Sequence, residues 1–236
     1  MKNKLRRAKA KAVVLLSGGL DSAVTLYYAR KQGYSCACVS FDYGQRHSRE
    51  LQAASRVARA AGCEHYKIRI SLPWKGSSLL DKSVGLPQRS AGKSPGVAAV
   101  PNTYVPARNI IFLSFAVSCA EAINAEAVFI GANAIDYSGY PDCRPAFYSA
   151  FRRSVLAGTK RGVEKRPVKI LTPLIRKTKA GIVKLGLDLK VPFGLTWSCY
   201  SGGKQPCGRC DSCFYRRKGF IEAGVTDPLE SGRKAK

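Results

Sequence analysis

Apolar positions fall into short runs separated by longer stretches of helical period. Ala12–Leu16, Ser35–Phe41, Tyr66–Ile70, Ala127–Ile130 and Val168–Leu171 read as strands. Between them the pattern predicts helices over Ser22–Gln32, Ser48–Ala61, Arg108–Asn124, Ala146–Thr159 and Thr178–Leu189. The second carries Leu51, Ala54, Val57, Ala58 and Ala61 on one face, and Gly33 and Gly62 stop the first two. Strands alternating with helices predict parallel βαβ units, hence an α/β fold with a doubly wound, parallel five-stranded sheet. Ligands of such sheets sit at the carboxyl ends of the strands, where the loops at Ser17, Asp42, Asn133 and Thr172 converge. Residues 71–101 are rich in Ser, Gly, Pro and Lys without periodicity and read as a lid or a partly disordered loop.

The loop after the first strand carries the plainest chemistry. Leu16-Ser17-Gly18-Gly19-Leu20-Asp21-Ser22 joins a strand end to a helix start. Its glycines allow close backbone approach, and the first helical N–H groups and the helix dipole favour an anion there. Ser17 and Ser22 add hydroxyls, and Asp21 is a candidate helix cap or magnesium ligand. The loop lacks the lysine of the Walker motif. It resembles instead the S-G-G-x-D-S loop of the PP-loop ATP pyrophosphatases, which cleave ATP to AMP and pyrophosphate.

Composition changes the picture in two ways. The 236 residues, 45% apolar, suffice for one sizeable α/β domain and a small appendage. Forty Lys and Arg face fifteen Asp and Glu, a net charge of +25 that attracts polyanions. No basic–aromatic stacking pattern accompanies that charge, so the expectation is weak, salt-dependent binding of nucleic acid without sequence preference. The apolar run before Ser17 is too short for a signal core or a membrane span, and no other run approaches spanning length. Nine cysteines without a signal peptide suggest a reducing, cytoplasmic setting.

Four of the cysteines, Cys199, Cys207, Cys210 and Cys213, are spaced C-x7-C-x2-C-x2-C among Gly and Pro turns. Four thiolates in that spacing suit a closed, structural tetrahedral zinc site, with iron–sulfur ligation as the rival. The chain thus divides into a basic tail (1–11), a nucleotide-binding α/β domain (12–194), a four-cysteine metal segment (195–228) and a second tail (229–236).

Together, the Ser17–Ser22 loop, Phe41-Asp42-Tyr43-Gly44-Gln45-Arg46-His47, the run Asp136-Tyr137-Ser138-Gly139-Tyr140-Pro141-Asp142-Cys143-Arg144-Pro145 and Cys199–Cys213 resemble the 7-cyano-7-deazaguanine synthases, a family within the PP-loop group. The resemblance spans roughly Val13 to Pro228. Ala107 departs from it, standing where the family usually has Gly before Arg-Asn, and so does Ala146, where an acidic residue usually follows Pro145. The resemblance implies conversion of 7-carboxy-7-deazaguanine, ammonia and ATP to the nitrile through an adenylylated acid and an adenylylated amide. It also implies a homodimer.

On this reading Leu16 to Thr25 (Leu16, Ser17, Gly18, Gly19, Leu20, Asp21, Ser22, Ala23, Val24 and Thr25) form the ATP site with Mg2+. Ser17, Asp21, Ser22, Arg108 and Lys179 act on the phosphates. The substrate candidates are Tyr43, Gln45, Arg46, Asn133, Asp136, Tyr137, Tyr140 and Asp142. Of these, Asp136 or Asp142 would accept from the ring N1–H and exocyclic amine, and Tyr137 or Tyr140 would stack. The cysteines hold one Zn2+ per chain, His47 is a hydrogen-bonded structural residue, and Cys143 packs. Three rivals remain: a tRNA-modifying PP-loop enzyme, an enzyme that attaches activated deazaguanine to another acceptor amine, and a zinc-ribbon nucleic-acid-binding module.

Overall fold

A computed structural model describes residues 9–88, 100–135 and 139–230. Five strands, β1 (Lys11–Leu15), β2 (Ser35–Asp42), β3 (Glu64–Arg69), β4 (Ala127–Phe129) and β5 (Lys169–Leu171), form one sheet in the order β3-β2-β1-β4-β5. Every pairing is parallel. The third strand begins at Glu64, ahead of the expected Tyr66. Pairing with β2 sets that start: Ala37 lies opposite Glu64.

Seven helices connect and cover the strands among the described residues: α1 (Leu20–Lys31), α2 (Arg49–Ala60), α3 (Arg108–Ala122), α4 (Pro145–Gly158), the short α5 (Lys160–Val163), α6 (Lys179–Asp188) and α7 (Asp211–Ala223). Alternate residues of β1 serve two cores. Val13 and Leu15 join Val39, Phe41, Leu113, Val128, Tyr148 and Ile170 under α3 and α4. Ala12 and Val14 join Ala23, Leu26, Val57, Phe129, Ile182 and Phe220 under α1, α2, α6 and α7. A strand with both faces covered has no polar side to alternate with, which is why these strands read as unbroken apolar runs. The buried face of α2 is Ala53, Ala54, Val57 and Ala58; Leu51, expected there, is only half-buried.

Two features complete the frame. From β1 the chain winds outward through β2 to β3, then crosses back to place β4 on the other side of β1. The reversal leaves a crevice above the carboxyl ends of β1 and β4. The cysteine segment is packed into the same body: Phe220 of α7 meets Phe193 edge-on at 5.3 Å between ring centres, in the core shared with β1. Arg216 holds that segment's end through a buried bidentate pair with Asp227 (2.6 and 2.9 Å), and also donates to Thr196 Oγ1. The described part of the 71–101 stretch is tied down. Ser78 donates to the Asn102 carbonyl, and Arg46 donates to the carbonyls of Ser78, Asp81 and Val84.

Candidate active site

The loop between β1 and α1 forms the floor of the crevice. Gly18 has φ +87°, and a Cβ there would collide with the Glu50 carbonyl and the Ala54 nitrogen of α2, so this position takes only glycine. Ser17 and Ser22 are joined at 3.1 Å between hydroxyls, and the Gly19 N–H donates to Ser17 Oγ. Gly19 is the residue before α1, and no side chain caps that end. Asp21, in the first turn, therefore keeps its carboxylate for Lys179, whose Nζ lies 2.9 and 2.7 Å from its two oxygens. Lys179 is the first residue of α6, whose start Thr178 caps by accepting from the Gly181 N–H. Ala23 and Val24 lie wholly in the core under α1, and Thr25, also buried, donates to the Asp21 carbonyl.

The walls come from four further segments. Tyr43, Gln45 and Glu50 follow β2, Arg108 and Asn109 open α3, Asn133 and Tyr140 follow β4, and Trp197, Ser198, Tyr200 and Tyr215 belong to the cysteine segment. Arg108 donates to the Tyr43 hydroxyl at 3.2 Å and makes no ion pair among the described residues. Its helix starts from Ala107, held at φ 54°, ψ 20° in the left-handed region. Gln45 is spent on backbone, accepting from the Tyr43 N–H and donating to the Phe41 carbonyl. Asn133 donates to the carbonyls of Leu174 and Lys177. The Tyr140 hydroxyl lies 2.7 Å from Thr103 Oγ1.

Two substrate candidates stand outside the cavity lining. Arg46 is turned to the 78–84 carbonyls. Asp142 is buried, its carboxylate accepting from the Asn109 N–H at 3.1 Å while its carbonyl accepts from the Asn109 side chain and the Tyr148 hydroxyl. Burial pushes the Asp142 carboxyl up, against the pull of the Asn109 N–H and Arg108. Asp142 thus serves the start of α3. Asp136 and Tyr137 lie outside the described residues. Cys143, packed beside Asp142, has its thiol pushed up to about 12 by burial.

Sequence reasoning passed over Glu50. Its carboxylate faces the cavity and makes no hydrogen bond or ion pair among the described residues; burial lifts it to about 7, against the field of Arg108. The available signal was position, since residue 50 is in line with Ala53, Ala54 and Val57 on the buried stripe of α2. His47, also in the loop before α2, packs its ring against Gly202 of the cysteine segment, and burial lowers its pKa.

The four cysteines converge. Their sulfurs all lie within 4.8 Å of one another, and Cys207 and Cys213 are 4.0 Å apart. A tetrahedral ion with bonds of about 2.3 Å places thiolates about 3.8 Å apart, so the set fits a single metal ion. Backbone N–H groups of Ser201 and Cys207 donate to Cys199 Sγ, and those of Arg209 and Cys210 donate to Cys207 Sγ, as suits thiolates.

Comparison with known proteins gives this arrangement its relatives. The family described as "Queuosine biosynthesis protein QueC" matches residues 11–224. The 7-cyano-7-deazaguanine synthase of Anaeromyxobacter sp. (strain Fw109-5) is 51% identical over 94% of this chain and 97% of its own length. That of Thermoplasma acidophilum is 50% identical over 94% of this chain and 92% of its own. Among solved structures, a 4-thiouridine synthetase–RNA complex with bound ATP aligns with a TM-score of 0.50 at 19% identity, covering 91% of this chain and 50% of that one, a likeness of fold alone. With the match running from the first strand to the end of α7, the chain belongs to the queuosine biosynthesis QueC family.

Proposed function

We propose that this enzyme converts 7-carboxy-7-deazaguanine, ammonia and ATP to 7-cyano-7-deazaguanine, AMP and pyrophosphate. The observation that carries the reading is identity of about half to the synthases over nearly their full length, with the crevice built from the segments that match. A carboxylate is a poor electrophile, so its oxygen first attacks the α-phosphorus of ATP. The leaving pyrophosphate is received by the N–H groups of the Ser17–Ser22 loop, with Arg108 and Lys179 as cations. Ammonia then displaces AMP to give the amide. A second adenylylation, on the amide oxygen, lets AMP carry that oxygen away and leave the nitrile. Lys179 and Asp21, paired across the phosphate loop, are the residues that would meet the phosphates and hold the magnesium accompanying ATP, and that ion would screen the phosphate charge.

The cysteine site we assign to structural zinc. Four sulfurs gathered within 4.8 Å suit one ion, whereas a cluster of several irons spreads its thiolates further apart. With all four positions taken by sulfur, it has no place for substrate. No helix of the described residues is long and apolar enough to cross a membrane, which agrees with a cytoplasmic enzyme. A homodimer and weak, salt-dependent RNA binding through the +25 surface complete the proposal. The test is a mass spectrum and nucleotide analysis after incubation with the acid, ammonium chloride and ATP. Nitrile appearing with AMP supports the reaction; ADP as the sole nucleotide product refutes it.

A further inference from the structure

The crevice holds two opposite charges without a mutual ion pair. Arg108 approaches from α3 and Glu50 from the first turn of α2, and both line one space with Tyr43. The other acids on the lining are engaged: Asp21 with Lys179, and Asp211 with partners of its own at the start of α7. Glu50 is therefore the carboxylate among the described lining residues that stands ready for a ligand. It is also next to the phosphate loop, because its carbonyl lies against Gly18. The groups facing it are Arg108, Tyr43 and, from the cysteine segment, Cys199.

Glu50 is half-buried, and a carboxylate that lines a cavity without an ion pair keeps its acceptor oxygens open to a ligand that carries N–H donors. An anion belongs on the Arg108 side. The Glu50 side suits a small cation with several N–H donors. We propose that the Glu50 carboxylate is the docking and proton-accepting group for the ammonium ion that supplies the nitrile nitrogen.

This deepens the reaction proposed above and rests on it. Ammonium is mostly protonated at neutral pH and has no lone pair to offer. Glu50 takes one proton from it, leaving NH3 and a neutral carboxyl. The nitrogen lone pair forms the N–C bond at the acyl carbon of the adenylate. The C–O bond to AMP then breaks with its electron pair leaving on AMP, and a further proton departs from nitrogen to solvent, giving the amide. Glu50 returns its own proton to solvent.

The test is a competition for one pool of acyl-adenylate. Hydroxylamine is mostly neutral at pH 7 and needs no proton removed before it attacks. Supplied together with ammonium chloride at a fixed ratio, it yields hydroxamate while ammonium yields amide and nitrile. The product ratio does not depend on how fast the adenylate forms. Glu50→Gln should shift that ratio toward hydroxamate by about ten- to a hundredfold, the range expected on losing a charged hydrogen bond. Glu50→Asp, which keeps the charge, should restore much of the wild-type ratio, and it also serves if the Gln variant fails to fold. An unchanged ratio in Glu50→Gln overturns the proposal. So does a raised KM for the deazaguanine acid at an unchanged ratio, which would assign Glu50 to the donor edge of the ring. Absence of nitrile from the wild-type enzyme would instead refute the reaction itself.

Discussion

Ala107 offers a direct test of how the start of α3 is built. The residue sits at φ 54°, ψ 20°, and its neighbours Arg108 and Asn109 both line the crevice. An L-residue in this region is strained by about 1–2 kcal/mol, whereas glycine adopts it freely. Against that, Ala107→Gly adds unfolded-chain entropy of about 0.4–1 kcal/mol. The half-buried methyl contributes a few tenths of a kcal/mol more, leaving a net stabilisation of about 0.5 kcal/mol at the middle of these ranges. For a chain of this size, thermal unfolding should rise by roughly 1–2 °C. Ala107→Val, β-branched at the same φ, should lower it. Differential scanning calorimetry of the three proteins at one pH decides the matter. A glycine variant that melts below the parent, or a valine variant that melts with it, would show that Ala107 does not hold a left-handed turn.

Three other outcomes follow from the geometry. Asp227→Asn breaks the buried pair with Arg216 (side chains 6% and 3% exposed) and should cost about 3–5 kcal/mol, lowering the melting temperature by roughly 6–20 °C. Cys210→Ser should release the metal in elemental analysis and reduce soluble yield, while Cys119→Ser, remote from the cluster, should keep a full complement. Glu50 has its carboxyl raised in the folded state, so ionisation opposes folding once the pH exceeds the unfolded value. Glu50→Gln should therefore unfold like the parent at pH 4, gain on it as the pH climbs toward 7, and hold a constant advantage above that. A melting-temperature difference that does not vary with pH would count against the raised value.

The five strands were legible because a sheet covered on both faces writes itself as apolar runs, and the helices because each hides one stripe. Glycines placed the helix ends well. What escaped was the traffic between distant segments. The line Asp136–Pro145 reads as a substrate loop, and nothing local tells that Asp142 turns to the α3 backbone instead. Arg46 reads as a ligand-facing cation, yet three carbonyls from residues 78–84 claim it. Glu50 hides for the opposite reason: an acid in the first turn of a helix is ordinary on electrostatic grounds, and only the packing of α2 on Gly18 turns it inward. The contribution of Trp197, Tyr200 and Tyr215 to the crevice depends on where the cysteine segment docks, which spacing alone does not give.

That docking links the two ends of the molecule mechanically. A Cβ at Gly219 of α7 would overlap the stem of Lys179, so the bare backbone of this helix is the surface on which the lysine rests. The same helix begins at the cysteine cluster, with Cys213 in its first turn. Cysteine cluster, helix and lysine form a single train of contacts ending at Asp21 in the phosphate loop. A shift of α7 at its cysteine end is therefore carried by the bare backbone at Gly219 to the lysine and its carboxylate, so the phosphate loop near one end of the chain answers to the placement of a helix near the other.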